Sequence, residues 1–185
     1  HKEYRRQRQM CIRDRCSSSL AEAEVEYIDK NSTAIDVKFK FDDSSNDKLI
    51  NKFKLDKKKN ISLVIWTTTP WTIPGNQAVC FSAEIDYQFI DSGSEYLLVA
   101  AELLEQCLDR WKDDSYEATK IKFKGSELEG LKSLHPLYKR EAPLFLGDHV
   151  TTETGTGFVH TAPAHGVDDF NVCSSEKVEV VNPIS

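Results

Sequence analysis

An α+β domain built on a small, barrel-like, mostly antiparallel sheet with a few helices is the fold this sequence predicts, on three observations. Short alternating or β-branched runs recur along the chain, turn residues separate them, and only about two segments carry apolar residues at helical spacing. At 185 residues and 39% hydrophobic content the chain can bury one sizeable core, which predicts a single globular unit.

In chain order, His1 to Arg15 holds six arginines and lysines with almost no apolar periodicity, so residues 1–15 read as a tail, and the run Met10 to Arg15 resembles translated cloning or adapter sequence. From Leu20, Val25 and Tyr27 and then Ile35, Val37, Phe39 and Phe41 alternate with period two, the pattern of half-exposed strands. The stretch from Asp42 to Asn60 is polar and ends in Lys57, Lys58 and Lys59. With no aromatic residue between them, the lysines read as a solvated loop and not as a nucleic-acid patch. Ile61 to Thr69 has the composition of a buried strand, ended by Pro70 because proline offers no backbone donor. Strands follow at Val79–Phe81, Tyr87–Ile90 and Tyr96–Val99, and then Leu103, Leu104, Cys107, Leu108 and Trp111 fall at helical spacing between Ala100 and Trp111. Ile121 to Phe123, a polar bridge through His135 and Pro136, a strand from Gly157 to His160 and a short helix around Phe170 to Cys173 complete the chain.

Composition excludes several classes. A formal charge of -6 disfavours coating nucleic acid by long-range attraction, so any RNA contact should be local. Apolar runs such as Leu63 to Trp66 are far too short to span a membrane, and no secretory leader opens the chain, which predicts a cytoplasmic protein. Five cysteines at scattered positions read as reduced thiols.

Two segments carry chemistry. Trp66 to Asn76 sets four threonine hydroxyls and an amide in a turn framed by two prolines, a glycine and two tryptophans. Such a cluster offers neutral hydrogen-bond partners to a small polar substrate and no nucleophile beside an obvious base, although threonines after a strand also follow from β propensity alone. Thr154 to Phe170 contains a Gly-x-Gly that completes neither a dinucleotide nor a phosphate-loop fingerprint, so its glycines are read as letting backbone approach a ligand closely. Asp168 and Asp169 precede the short helix, and Asp168 is assigned to capping it. His160, His165 and Cys173 match no strong zinc spacing, so no metal site is expected.

Together these segments closely resemble the editing insertion (connective peptide 1) of the class I aminoacyl-tRNA synthetases for isoleucine, valine and leucine. Leu20 to Tyr27 resembles its leading strand, Trp66 to Asn76 its threonine-rich peptide, and Leu146 to Val150 with Gly155 to Phe170 its second signature. Thr69 stands where the valine and leucine relatives carry arginine, which points to the isoleucine type. The resemblance implies an editing domain over residues 16–185 that hydrolyses misacylated tRNA, removing valine from isoleucine tRNA. It implies Thr67, Thr68, Thr69 and Asp169 as catalytic residues, with Asp169 holding the substrate ammonium. Thr72, Asn76, His160, His165 and Gly157 are implied as substrate-binding, with His160 against the amino-acid side chain. Partners would be the charged tRNA 3′ end and the remainder of the synthetase. No cofactor is expected for hydrolysis, because ATP and magnesium serve only the synthetic domain, whose His-Ile-Gly-His-like and Lys-Met-Ser-Lys-Ser-like segments do not occur here. Cys16 fits the second position of a Cys-x-x-Cys pair, but Arg13 occupies the first, so no metal-binding knuckle is expected. The alternatives are a valine- or leucine-type editing domain, a free-standing deacylase acting in trans, and a noncatalytic module that binds the tRNA 3′ end.

Overall fold

The computed structural model describes residues 33–178 and 180, together with two short strands nearer the N-terminus, β1 (Cys11–Arg13) and β2 (Ser18–Leu20). These two pair antiparallel, Cys11 opposite Leu20, within a separate compact unit of residues 1–32. The rest of the expected tail, and the leading strand from Ala21 to Tyr27, lie outside the described residues.

The unit from Thr33 onward contains nine strands and three α-helices among its described residues. Five strands form one sheet: β3 (Ile35–Lys40), β4 (Asn60–Thr67), β6 (Asp86–Asp91), β7 (Glu95–Ala100) and β8 (Glu117–Lys124), in the order β3-β4-β7-β6-β8. Four form another: β5 (Ala78–Phe81), β9 (Lys132–Leu134), β10 (Glu141–Leu146) and β11 (Val159–Thr161), in the order β11-β5-β10-β9. The expected α+β class, with mostly antiparallel pairing and a few helices, holds, while the barrel-like sheet takes the form of two mixed sheets. Each contains one parallel pair, β4 with β7 and β5 with β10, and the sheets meet at an antiparallel bridge between Phe41 and Ser133 without closing. The parallel pairs arise because the chain leaves β4 through the proline-framed turn and enters the second sheet at β5 before returning to the first at β6. Neighbours in sequence thus become members of different sheets.

Helix α1 (Asp43–Phe53) occupies the first part of the stretch that read only as polar, and the lysines read as a solvated loop follow it in a turn. Asp42 caps it by accepting the Ser45 N–H at 3.0 Å, and Lys54 ends it in a left-handed conformation with φ 55°. Its apolar side is narrow. Leu49 and Ile50 are buried, and Phe53 stacks on Phe123 at 4.4 Å and meets Phe89 edge-on at 5.6 Å. Burial of Leu49 and Ile50 and the ring packing of Phe53 thus settle a helix that periodicity alone was too weak to indicate. The expected helix near Ala100 is a 3-10 turn, Ala101–Leu103, followed by α2 (Leu104–Trp111). A third helix, α3 (Val167–Ser175), follows the second signature. The core lies between the sheets, with Phe39, Leu63, Ile65, Phe81, Tyr87, Phe89 and Leu98 almost wholly excluded from solvent.

Candidate functional site

At the C-terminal end of β4, a cleft of about 490 Å³ opens beside β11 and the start of α3. Thr67, Thr69 and Thr72 line it from the threonine segment, His160 from β11, and His165 and Asp169 from the α3 side. Two segments about ninety residues apart in sequence converge because β11 pairs antiparallel with β5, setting His160 opposite Val79, while β5 follows directly on the threonine turn.

The turn itself, Pro70–Gly75, is a 3-10 helix. The Thr67 hydroxyl accepts the Thr69 N–H at 3.1 Å and lies 3.3 Å from the Thr69 hydroxyl. Thr72 donates its hydroxyl proton to the Thr69 carbonyl at 2.8 Å, and its oxygen lies 2.8 Å from His160 Nε2. On the other side of the ring, Asn76 Nδ2 lies 2.9 Å from His160 Nδ1 and donates to the Ala78 carbonyl at 2.7 Å. The Ala78 carbonyl settles the amide orientation, the amide settles Nδ1 as an acceptor, and Nε2–H must then donate to Thr72. His160 is neutral in that arrangement. Burial agrees, pushing its pKa down to about 4, with the nearby His135 and His165 adding to the effect. Asn76 Oδ1 is buried without a hydrogen-bond partner, a cost of about 1–3 kcal/mol that the amide bears to keep its grip on the imidazole.

Among the described residues Asp169 is the one carboxylate lining the cleft. Its Oδ2 accepts the Ala162 N–H at 2.8 Å, and burial raises its pKa against that hydrogen bond and the nearby His149. A desolvated anion beside neutral hydroxyls and a neutral imidazole is a site for a small cation. Among the described residues no side-chain hydroxyl of the cleft is hydrogen-bonded to a titratable base other than the neutral His160.

Other expectations fall differently. Thr68 is exposed and is not among the residues lining the cleft, and Asn76 lies fully buried behind it, acting through His160. Gly157 does not line the cleft either. Its φ is +82°, and a Cβ there would meet the Ala100 Cβ at 2.3 Å, so the packing of the loop on β7 by itself requires glycine here. Gly157→Ala is expected to cost about 2–5 kcal/mol in urea unfolding, from left-handed strain plus overpacking. A loss below about 1 kcal/mol would mean the loop yields freely. Asp168 does not cap α3. The N-cap is Gly166, without a side-chain bond, and Asp168 is an exposed first-turn residue that only complements the helix dipole. Among the described residues no three His, Cys, Asp or Glu side chains gather to hold a metal ion.

Trp66, Trp71, Val159 and Ala162 also line the cleft, and none of them was named from the sequence as a site residue. Their signal was present, since Trp66 and Trp71 flank the threonines and Val159 and Ala162 flank His160. Trp71 is 70% exposed at the lip.

Comparison with known proteins follows the same line. The family described as "Leucyl-tRNA synthetase, editing domain" matches residues 31–185. The chain is 46% identical over 180 residues to an isoleucine–tRNA ligase of Idiomarina loihiensis, covering 91% of this chain and 19% of that protein. It is 48% identical over 170 residues to an isoleucine–tRNA ligase of Legionella pneumophila, covering 91% and 18%. The chain therefore spans about a fifth of the length of these curated relatives. Among solved structures, GlLeuRS-CP1 superposes with a TM-score of 0.65 at 15% identity, over 83% of this chain and 69% of that one. The Plasmodium knowlesi (P. knowlesi) cytosolic leucyl-tRNA synthetase editing domain superposes with a TM-score of 0.63 at 15% identity, over 78% and 62%. At such identities the likeness is one of fold.

Proposed function

The chain belongs to the synthetase editing-domain family, and from that premise we propose that it hydrolyses the ester joining a wrongly attached valine to the 3′ end of isoleucine tRNA, as part of an isoleucine–tRNA ligase. The observation that carries the reading is the pairing, in one cleft, of a single desolvated carboxylate with a neutral wall of hydroxyls and imidazole. An aminoacyl ester brings an ammonium group beside its scissile carbonyl. Asp169 holds the ammonium, and the threonine hydroxyls at 67, 69 and 72 orient the ester and the water. Water adds to the ester carbonyl, the bond to the ribose oxygen breaks, and the proton of the water passes to that oxygen, leaving free valine and uncharged tRNA. A neighbouring ribose hydroxyl already activates the ester, so positioning replaces a strong base. Thr68, exposed outside the cleft lining, has no part in this scheme.

Valine is the substrate proposed because the relatives at 46% and 48% identity are isoleucine–tRNA ligases and because Thr69 stands where an arginine marks the valine and leucine types. One methylene is worth only about 1–3 kcal/mol in a pocket, a figure known from this isoleucine–valine problem itself, so a second sieve is needed. The partners are then the charged tRNA 3′ end and the remainder of the synthetase.

The test presents the chain with isoleucine tRNA carrying valine or isoleucine, with and without a chelator. Valine should be released at least about tenfold faster than isoleucine, and the chelator should change neither rate. Binding without turnover would establish an RNA-end binding module instead, and equal release of both amino acids would remove the sieve.

A further inference from the structure

The 3-10 turn that carries Thr72 and leads into Asn76 is held from behind by two residues that do not line the cleft. His135 and Arg140 lie in the connection between β9 and β10, with the His135 N–H donating to the Arg140 carbonyl at 2.9 Å. His135 is 5% exposed. Its Nδ1 accepts the main-chain N–H groups of Leu137 and Tyr138 at 3.0 and 3.1 Å, so the ring proton sits on Nε2, which donates to the Ile73 carbonyl at 2.9 Å. Arg140 Nη2 donates to the carbonyls of Pro74 at 2.8 Å and Asn76 at 2.5 Å. Tyr138 joins the two, its ring 4.9 Å from that of His135 and 5.4 Å from the Arg140 guanidinium. Among the described residues Arg140 has no carboxylate partner, so its charge is spent on the turn carbonyls.

We propose that His135 and Arg140 are positioning residues: they set the carbonyls of Ile73, Pro74 and Asn76, and thereby hold the Asn76 amide behind the cleft and, through it, the His160 ring that lines the cleft. The path is continuous. The Ile73 carbonyl that accepts the hydrogen bond from His135 Nε2–H also accepts the Asn76 N–H at 2.9 Å, the Asn76 side chain meets His160 Nδ1, and His160 Nε2 meets Thr72 at the other end of the turn. A shift of the turn carbonyls moves the imidazole, whose two nitrogens are both committed to this segment. Neither His135 nor Arg140 touches the cleft. The kinetic part of the inference rests on the proposed ester hydrolysis, while the geometric part does not.

Two substitutions divide the roles of the imidazole. His135→Asn keeps an acceptor near Nδ1 for the connection but has no donor reaching Ile73; His135→Gln keeps a donor for Ile73 but loses the acceptor. His135→Asn should lower kcat for valyl ester hydrolysis by about tenfold with KM changed less than about twofold, speed hydrogen exchange at the Thr72 and Asn76 amides, and shift the His160 ring nitrogen resonances. His135→Gln should lower Tm yet keep kcat in the folded fraction. If His135→Asn keeps wild-type kcat, exchange and ring resonances, or if both variants lose kcat only in proportion to lost stability, the positioning role is wrong. If the unsubstituted chain does not hydrolyse the ester, exchange and the ring resonances still decide the geometry, and the proposed function alone fails. Should His135→Asn not fold, Arg140→Met, which keeps an unbranched stem but offers no donor to the Pro74 and Asn76 carbonyls, is expected to give the same kcat loss and exchange signature at Asn76, and its absence would overturn the proposal.

Discussion

Asp169→Ala lowers kcat/KM for valyl ester hydrolysis by about tenfold to a few hundredfold, the equivalent of losing one charge-assisted hydrogen bond of roughly 1.5–3 kcal/mol. The structure sharpens the choice of variant. Because Asp169 Oδ2 also accepts the Ala162 N–H, alanine leaves a buried donor unpaired at a cost of about 1–3 kcal/mol, partly offset by removing a desolvated carboxylate. Asp169→Asn keeps an acceptor for Ala162 and removes only the charge, so it should melt near the wild type and show the same kinetic loss. The pH dependence has a definite sign. Burial raises the folded-state pKa of Asp169 above its ordinary value, so the ionised, ammonium-binding form is gained as pH rises through that raised pKa, and kcat/KM should rise with it. Asp168→Ala, at an exposed first-turn position, should cost about 0.3–1 kcal/mol of stability and leave hydrolysis intact. Wild-type kcat/KM in Asp169→Asn, or loss of hydrolysis in Asp168→Ala, would move the ammonium site away from Asp169.

His160→Ala is expected to erase most of the preference for valyl over isoleucyl ester, bringing the ratio of kcat/KM values from at least about ten toward one. The neutral imidazole forms part of the cleft wall and cannot swing aside, because Asn76 holds Nδ1 and Thr72 receives Nε2–H. Removing it opens room for the extra methyl group. Since burial pushes its pKa down to about 4, the wall keeps one charge state above that value, and the preference should be flat between about pH 5 and 8. The same shift acts on stability. The unfolded chain takes up a proton below about pH 6.5 while the folded ring resists it, so His160 contributes fully above that pH. Of order 3 kcal/mol is then lost as pH falls toward 4. Unchanged selectivity in His160→Ala, or a selectivity inflection near pH 6.5, would remove the imidazole from the sieve.

Strands and turns were legible in the sequence where a local rule operates without competition. The β-branched run from Ile61 and its end near Pro70 appear as Asn60–Thr67, and the runs near Val79, Tyr87, Tyr96 and Ile121 each became strands. Helix α1 was not legible, because the packing of its Phe53 exists only once Phe89 and Phe123 are in place. Sheet membership was not legible either, since period two marks which face a residue takes and says nothing of which strand lies beside it.

At the site the division follows the same physics. By itself the sequence determined the residue types: neutral hydroxyls in a turn framed by prolines, a histidine with a carboxylate nine positions on, and the likeness of both segments to a known insertion. The resemblance had already set Asp169 apart from Asp168, but that a Cβ at Gly157 would strike Ala100, that the Asn76 amide sits behind the cleft against His160, and that His135 and Arg140 stand behind the turn were decided by tertiary structure alone. Each depends on the direction of a side chain relative to a residue distant in sequence. That direction is set by the pairing of β11 with β5 and by the seat of α3 beside it, which no local pattern encodes.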